Sequence, residues 1–324
     1  MSRMRSVLAL LLAALILMPL TGCADNSLSE EEEKTRIKVI VKKRDYDYWA
    51  VVQMGAEAAG REFGVEVDFD GPPTEGDIEG QIRMVENAIE QKFDALVLAA
   101  SDYVALAPVA EEARDAGMPV VIIDSNIKSD KMNSFVGTDN VGAGQKLGES
   151  LLDIVGPDCD IVVMSFVKGA ATADQREEGF FEKIDGEKGI NVLETLYCKS
   201  EEDYASDLAR DAVERYPELD AIVCLNAYGT VGVARAISRM GKAGSISIIG
   251  FDSTPQEVSY MEEGAIQSLV VQNPFNMGYL GVKYALDVLN GDKVPKSVDT
   301  GSTVIDRENM YLPENQKLVF PFTD

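Results

Sequence analysis

Short, largely apolar runs recur along the chain, and a helix-like segment separates each run from the next. They lie at residues 37–41, 95–98, 120–123, 161–164, 221–225 and 247–250. Continuous runs of valine, isoleucine and leucine suit strands that are buried on both faces. Strands that alternate with helices in this way are typical of an α/β protein with doubly wound parallel sheets.

The alternation of strands and helices occurs twice, with a break near residues 135–140. The 324 residues are enough for two domains, on a prior of roughly 100–200 residues for each. Two consecutive series of the same kind predict two similar α/β lobes. This duplication is inferred from the pattern, since no residue-level repeat is evident.

Several of the predicted strands end at a polar side chain, and the clearest case is Asp252 in the stretch S-I-I-G-F-D-S-T-P. An open parallel sheet binds its ligands in the crevice outside the carboxyl ends of its strands. Asp252 is therefore placed for a ligand. The alternative is a helix N-cap, because aspartate is common directly before a helix. The same two interpretations apply to Asn226.

The strand-end residues and their neighbours combine planar hydrogen-bonding groups with flat aromatic faces. A carboxylate accepts two hydroxyl hydrogens, whereas an amide both donates and accepts. Aromatic rings cover the apolar face of a ring-shaped polyol. The pattern favours a small polyhydroxylated ligand, although Tyr48 and Trp49 could instead pack in the core. The candidate residues are Lys42, Tyr46, Tyr48, Trp49, Asp124, Ser125, Asn126, Asn226, Asp252 and Gln272.

Composition excludes several classes of function. A formal charge of −25 argues against nucleic acid as a partner. The absence of histidine removes the usual serine and cysteine nucleophile triads and histidine-containing zinc sites. Gly142 and Gly144 begin a dinucleotide-like motif whose third glycine, Gly148, falls one residue late, so close helix packing is the preferred interpretation. We expect no metal, no cofactor and no enzymatic activity.

The N-terminus has the features of an exported lipoprotein. Arg3 and Arg5 precede a short apolar run at 7–17, and L-T-G-C then ends at Cys23. We predict a lipoprotein signal peptide at 1–22, lipidation of Cys23 and an acidic flexible tether at 23–35. The alternative is an ordinary signal peptide with an incidental cysteine. A disulfide between Cys159 and Cys198 stays open at this point.

Seven stretches together resemble the bacterial type I solute-binding proteins of the ribose/galactose-binding class, and the resemblance covers residues 36–324. They are P-V-V-I-I-D-S at 119–125, G-T-D-N-V-G-A-G at 137–144, R-E-E-G-F at 176–180, A-I-V-C-L-N at 221–226, I-I-G-F-D-S-T-P at 248–255, Q-N-P-F-N-M-G at 272–278 and L-N-G at 289–291.

The resemblance implies two Rossmann-like lobes with parallel sheets, joined by three hinge crossovers near residues 138–139, 272–273 and 299–300. The first lobe would comprise residues 36–138 and 273–299. The second would comprise residues 139–272 and 300–324. The ligand would be captured in the cleft between the lobes by closure of the hinge.

Family ligand positions fall on nine of the candidate residues, all of those above except Asn126, and on Asp174. Ser125 and Asp174 stand where ribose binders of the family carry arginine, which cannot be replaced without changing bidentate recognition. Lys42 is an added cation on the first strand. The set is compatible with a sugar other than ribose, a polyol such as an inositol, or a ligand with a charged group.

The predicted function is that of an extracytoplasmic lipoprotein, lipid-anchored to the outer face of the cytoplasmic membrane or periplasmic. It would bind a sugar or polyol as a monomer and deliver it to the permease of an ABC importer. The alternative is a receptor lipoprotein that signals through a membrane sensor kinase or chemoreceptor. An enzyme or a repressor is disfavoured, because the sequence lacks catalytic motifs and a basic helix-turn-helix.

Overall fold

The computed structural model describes residues 34–322. The predicted signal peptide at 1–22, the lipidation site Cys23 and most of the predicted tether at 23–35 lie outside the described residues. Within residues 34–322, no helix combines the length and the apolar character needed to cross a membrane.

The first sheet has six strands, and all neighbouring strands are parallel. Across the sheet they are β11 (Ser297–Asp299), β5 (Ser134–Gly137), β4 (Val120–Ile123), β3 (Ala95–Leu98), β1 (Arg36–Ile40) and β2 (Glu66–Asp70). The helices that cover it are α1 (Asp47–Phe63), α2 (Ile78–Glu90), α3 (Ala107–Asp115) and α9 (Pro274–Leu289).

The second sheet also has six strands, parallel except for the outermost one, β12, which pairs antiparallel with β10. Across the sheet they are β12 (Ser302–Ile305), β10 (Ser268–Gln272), β9 (Ser247–Phe251), β8 (Ala221–Cys224), β6 (Asp158–Ser165) and β7 (Gly189–Tyr197). The remaining helices are α4 (Asn140–Ile154), α5 (Ala171–Ile184), α6 (Glu202–Arg215), α7 (Ala227–Arg239), α8 (Pro255–Glu262) and α10 (Gln316–Val319).

The central strands are buried on both faces, as their uninterrupted apolar sequences predict. In β3, Leu96 and Leu98 belong to the core beneath α2 and α3. Ala95 and Val97, which point the other way, belong to the core beneath α1 and α9. All four side chains are fully buried. Alternate residues therefore stabilise opposite layers, because successive side chains of a strand point to opposite faces.

The chain passes between the two sheets at three places in the described residues. It leaves the first sheet after β5, returns to it with α9 after β10, and leaves it again between β11 and β12. Hydrogen bonds join these segments: the Thr138 hydroxyl donates to Gln272 Oε1 at 2.8 Å, and the Asp139 amide donates to Asp299 Oδ1 at 3.0 Å. The predicted fold of two parallel-sheet lobes joined by three crossovers is confirmed.

The helices of each lobe approach through glycines. A Cβ on Gly144 in α4 would lie 2.3 Å from the carbonyl oxygen of Arg176 in α5, and one on Gly179 in α5 would lie 1.9 Å from that of Val141. Gly144 therefore serves close helix packing, as the sequence suggested, because only a residue without Cβ fits there.

Four elements differ from the sequence-based expectations. Strands β5, β11 and β12 were not predicted, because each has only three or four residues and none is a long apolar run. Helix α1 begins at Asp47 rather than near residue 50, so Tyr48 and Trp49 lie in its first turn and not in the preceding loop. Cys159 and Cys198 are both free and buried.

Candidate ligand-binding site

A cavity lies where the carboxyl ends of the two sheets face each other, with about 360 Å³ of empty space, part of it open to solvent. Both lobes contribute to its wall. Eight of the ten residues carried over from the family line it, namely Lys42, Tyr46, Tyr48, Trp49, Asp124, Asn226, Asp252 and Gln272. The wall also includes six residues that were not predicted, namely Glu75, Phe166, Thr172, Arg176, Ala227 and Tyr228.

The first lobe contributes a buried ion pair. Lys42 follows β1 and Asp124 follows β4, so the parallel strands bring both side chains to the same edge of the sheet. Lys42 Nζ lies 2.8 Å from Asp124 Oδ2, and each side chain is only 5% exposed. The hydroxyl of Tyr48 donates to Asp124 Oδ1 at 2.9 Å. The backbone of Asp124 has a φ of +58°, an uncommon conformation for a residue other than glycine.

Two aromatic side chains from the first turn of α1 form the floor beside this pair. The rings of Tyr48 and Trp49 meet edge to face, with centroids 4.9 Å apart. Trp49 is 2% exposed and belongs to the core of the first lobe as well as to the cavity wall. Burial and the nearby Asp124 carboxylate raise the pKa of Tyr48 well above its usual value, so its hydroxyl stays a donor.

The second lobe contributes Asp252 at the end of β9, also with a positive φ, +78°. Its Oδ1 accepts a hydrogen bond from Gln272 Nε2 at 2.8 Å, and its Oδ2 accepts one from the Ala227 amide at 3.2 Å. The helix that follows is capped instead by Thr254, whose hydroxyl accepts from the Glu257 amide. Asp252 is therefore not the N-cap of α8, and its carboxylate is held against the cavity.

Arg176 supplies a guanidinium group to the cavity wall. Its Nε donates to Asn140 Oδ1 and its Nη1 to the Leu225 carbonyl, both at 2.8 Å, and its Cζ lies 3.7 Å from the ring centroid of Phe251. The positive charge of Arg176 partly opposes the effect of burial, which raises the pKa of Asp252. The arginines that ribose binders carry are missing at Ser125 and Asp174, but Arg176 supplies a guanidinium to the cleft from another position.

Asp174, which was predicted to be a site residue, does not line the cavity and is exposed. Thr172 and Arg176 are four positions apart in α5 and so share one face of the helix, which is the face toward the cavity. Asp174 lies two positions from each, which places it on the opposite side. Helical rotation thus explains the misplacement.

Ser125, the other position at which arginine was expected, is 1% exposed but does not line the cavity either. Its amide donates to the Ile123 carbonyl at 2.6 Å, which turns the chain directly after Asp124. Asn126 likewise does not line it. The turn that brings Asp124 to the cavity wall therefore leaves Ser125 and Asn126 outside that wall.

Asn226 both caps a helix and faces the cavity. It is therefore an N-cap and a candidate ligand-site residue at the same time. Its Oδ1 accepts from the Gly229 amide at 2.9 Å at the start of α7. Its Nδ2 donates to the hydroxyl of Ser200 at 3.2 Å. Ser200 in turn donates to Glu75 Oε2, in the first lobe, at 2.5 Å.

The lobes touch across the cleft, so the structure is a closed form. The rings of Tyr46 and Tyr228 stack with centroids 3.8 Å apart and an interplanar angle of 18°. Lys42 Nζ lies 3.5 Å from Thr172 Oγ1, and the Tyr103 amide donates to the Gly169 carbonyl at 3.0 Å. Each of these contacts joins one residue of the first lobe to one of the second.

The arrangement suits binding through hydrogen bonds. Residues 34–322 contain no group of three or more histidine, cysteine, aspartate or glutamate side chains arranged to hold a metal ion. The cavity instead presents carboxylates, amides and cations whose other atoms are already bonded to the protein. Such groups are held in place before a ligand arrives, which lowers the entropy lost on binding.

Two of the unpredicted wall residues had a signal in the sequence. Arg176 opens the stretch R-E-E-G-F, and Tyr228 follows the strand-end residue Asn226 by two positions. For Glu75 the sequence offered no signal beyond its position in the loop G-P-P-T-E-G, because its contact with Ser200 forms only across the closed cleft.

Comparisons with known proteins agree with this geometry. A solute-binding protein of an ABC transporter from Agrobacterium vitis, solved with bound D-fucose, is 35% identical with a TM-score of 0.86, over 88% of this chain and 100% of that chain. One from Agrobacterium radiobacter, solved with D-arabinose, is 31% identical with a TM-score of 0.86, over 89% and 99%. The D-allose-binding periplasmic protein of Escherichia coli (strain K12) is 27% identical over 79% of this chain and 85% of its own length.

The family model described as a periplasmic binding protein domain matches residues 37–293. This match spans most of the described chain, including both sheets except for the outer strands β11 and β12. We conclude that the chain belongs to the periplasmic binding protein domain family.

Proposed function

We propose that this protein binds one small neutral sugar, or a polyol of similar size, in the closed cleft and delivers it to an ABC importer. The observation that carries the proposal is the pair of carboxylates, Asp124 from the first lobe and Asp252 from the second, which both line the cavity between the lobes.

Each group has a role that its geometry supports. Asp124 and Asp252 accept hydrogen bonds from sugar hydroxyls, and these charge-assisted bonds are about twice as strong as neutral ones. Lys42, Arg176 and Asn226 donate to the ring and hydroxyl oxygens. Trp49 and Phe166 cover the apolar C–H face of the ring, since both line the cavity.

The charges favour a neutral ligand over an anionic one. The cavity wall holds two cations, Lys42 and Arg176, and three carboxylates, Glu75, Asp124 and Asp252. Lys42 is already paired with Asp124 at 2.8 Å. An anionic sugar would therefore meet a net negative wall, whereas a hydroxyl group can use a carboxylate and a cation together.

The lobes, in this proposal, are residues 36–138 with 273–299 and residues 139–272 with 300–324, and they rotate about the three crossing segments. Hydrogen bonds between those segments, such as that of Thr138 with Gln272 at 2.8 Å, keep the crossing segments aligned with one another while the lobes close.

Lipid on Cys23 anchors the exported monomer to the membrane, and the permease recognises the closed form. The sugar-binding names of the relatives support this assignment.

The test is a thermal-shift and calorimetric screen of the purified protein against pentoses, hexoses, deoxyhexoses, inositols, amino sugars and uronates. We expect a neutral sugar or polyol to raise the melting temperature, because a ligand at 100 times its Kd adds about 2.7 kcal/mol of stability. Stabilisation by amino sugars or uronates alone would contradict the proposal.

Two variants then assign the site. Asp252→Asn should weaken the bound sugar at least tenfold, because a neutral amide replaces the charged acceptor that Gln272 and Ala227 hold in place. Asp174→Asn makes the same chemical change at an exposed position of α5 and should leave affinity unchanged within twofold. Equal affinities for the two variants would refute the placement of the ligand.

A further inference from the structure

A second, open groove lies against the ligand cavity, on the side of the second lobe. Its wall includes Phe166, Lys168, Tyr197, Tyr204 and Leu208. Phe166 lines the ligand cavity as well. The ligand cavity and the outer groove therefore share a wall residue. The residues that separate them determine whether a ligand can extend from the cavity into the groove.

The separation is made by two short segments, one from each lobe. Thr74 and Gly76 line the outer groove, whereas Glu75 between them lines the ligand cavity. In the second lobe, Lys199 and Glu201 line the outer groove, whereas Ser200 between them donates to Glu75 at 2.5 Å. The pair of Glu75 and Ser200 thus stands between the two spaces, and we call this pair the partition.

The backbone on both sides holds the partition in place. Lys199 and Ser200 have φ values of +57° and +55°, two consecutive left-handed residues that are not glycine. The Lys199 amide donates to the Phe166 carbonyl at 2.9 Å, which fixes the turn after β7. In the first lobe, the Asp77 amide donates to the Thr74 carbonyl at 3.2 Å, directly before helix α2. Glu75 and Ser200 are 8% and 3% exposed.

The partition is also connected to the ligand site. Ser200 accepts a hydrogen bond from Asn226 Nδ2 at 3.2 Å while it donates to Glu75. Asn226 lines the cavity, so the contact between the lobes and a ligand-facing amide belong to one hydrogen-bonded chain. A group that entered between Glu75 and Ser200 would break both the closure contact and the support of Asn226.

From this arrangement we infer that Glu75 and Ser200 determine how long a ligand can be, and limit it to a single sugar ring. The inference rests on the proposed function. A second ring is several ångströms thick and cannot pass between two oxygens that are 2.5 Å apart. It could pass only if Glu75 and Ser200 stayed apart. The closed form would then lose a buried charge-assisted hydrogen bond.

The outer groove indicates where an extended ligand would go once the partition is removed. It contains the rings of Tyr197 and Tyr204, and Tyr204 is 40% exposed. Lys168 Nζ lies 4.3 Å from the ring centroid of Tyr197. Aromatic faces of this kind accept the C–H face of a sugar, so the groove can hold a second ring that the partition at present excludes.

The experiment compares monosaccharides with disaccharides by calorimetry on the purified full chain. The probes are D-glucose, D-galactose, D-fucose, D-allose, D-ribose, D-arabinose and D-xylose, and then maltose, cellobiose, lactose, melibiose and xylobiose. The variants are Glu75→Ala and Ser200→Gly, the second chosen because glycine adopts a φ of +55° without strain. Thr74→Ala is the matched control, since Thr74 lines the outer groove without forming the partition.

We expect the wild-type protein to bind its best monosaccharide at least 100-fold more tightly than any disaccharide. Glu75→Ala and Ser200→Gly should each reduce that ratio at least tenfold, and Thr74→Ala should leave it unchanged. A wild-type protein that binds a disaccharide within tenfold of the monosaccharide would overturn the inference, as would variants that leave the ratio unchanged. Failure of these sugars, and of every neutral sugar and polyol in the thermal-shift screen, to bind would instead overturn the proposed function, and this inference with it.

Discussion

At the scale of single residues, Asp124 and Asp252 have the same role in the proposed site but different surroundings. Asp124 is paired with Lys42 at 2.8 Å, a cation of its own lobe. Asp252 is held by an amide side chain and a backbone amide, at 2.8 and 3.2 Å, and burial raises its pKa. The first lobe therefore balances its carboxylate with a cation in direct contact, whereas Asp252 in the second lobe is bonded to neutral donors and is influenced by the charge of Arg176 in the same lobe.

Glu257 lies behind Asp252 and has no exposed surface. Its Oε2 accepts from the Thr254 amide at 2.7 Å, whereas its Oε1 has no hydrogen-bond partner. Burial, together with the negative charge of Asp252, raises the pKa of Glu257 well above its usual value. The folded protein therefore favours the protonated form of this side chain.

We predict that Glu257→Gln makes the protein more stable than wild type, and increasingly so as the pH rises. An acid whose pKa is raised by folding contributes stability below its unfolded pKa, about 4.3, and loses that contribution as the pH rises through the folded pKa. Glutamine is neutral at every pH and can still accept from Thr254. Urea unfolding of both proteins between pH 4.5 and 8.5 measures the difference.

The exposed residue Glu263 provides the control, because Glu263→Gln removes a carboxylate adjacent to the same helix without a burial effect. Its unfolding free energy should run parallel to that of wild type across the pH range. A difference between wild type and Glu257→Gln that stays constant with pH would refute the raised pKa.

At the scale of secondary-structure elements, the close approach of α4 and α5 determines where Arg176 lies. A Cβ on Gly144 would lie 2.3 Å from the Arg176 carbonyl and 2.9 Å from the Phe180 amide nitrogen. Both neighbours are backbone atoms, which cannot yield by a change of rotamer. The position of a ligand-facing guanidinium thus depends on a glycine in the neighbouring helix.

We predict that Gly144→Ala lowers the free energy of unfolding by about 2 kcal/mol, since overpacking a well-packed core costs about 1–3 kcal/mol. It should also weaken sugar binding, because α5 must shift and carries Arg176 with it. Gly76→Ala is the matched control, since a Cβ there meets nothing within 4 Å. Chemical denaturation and calorimetry check the two effects, and a Gly144→Ala protein as stable as wild type would contradict the argument.

The elements also show how far the sequence could predict this structure. The central strands were predictable because both of their faces are buried, as in β4, whose four residues are all fully buried. The strand-end residues Asp124 and Asp252 were predictable for a related reason, since the ends of parallel strands meet at one edge. Short edge strands such as β11, with an exposed serine and aspartate at its ends, carry no such pattern.

Side chains on helices and loops were harder to place. Asp174 and Arg176 are two residues apart, and only the rotation of α5 about its axis decides which of them faces the cleft. Glu75 and Tyr228 reach their partners across the cleft, so their roles depend on how the lobes close. The local sequence does not determine how a helix is rotated about its axis or how the two lobes close. These residues were missed for that reason.

At the scale of the whole molecule, closure brings together surfaces that cannot touch when the lobes are apart. One of these contacts is the stack of Tyr46 on Tyr228, with ring centroids 3.8 Å apart. The hydroxyl of Tyr228 is buried and has no hydrogen-bond partner, and burial raises its pKa. The ring of Tyr228 therefore contributes to the closed form through stacking, about 0.5–1.5 kcal/mol beyond the area buried, and through Lys43, whose Nζ lies 4.8 Å from the ring centroid.

We predict that Tyr228→Leu increases the rate of sugar dissociation about tenfold and leaves the association rate nearly unchanged. The stack exists only after closure, and interactions of this kind act mainly on dissociation. Tyr228→Phe keeps the ring and should dissociate within about threefold of the wild-type rate. Stopped-flow fluorescence of Trp49, which lines the cavity, measures both rates. A Tyr228→Phe protein that releases sugar as fast as Tyr228→Leu would show that the hydroxyl, rather than the stacked ring, holds the lobes closed.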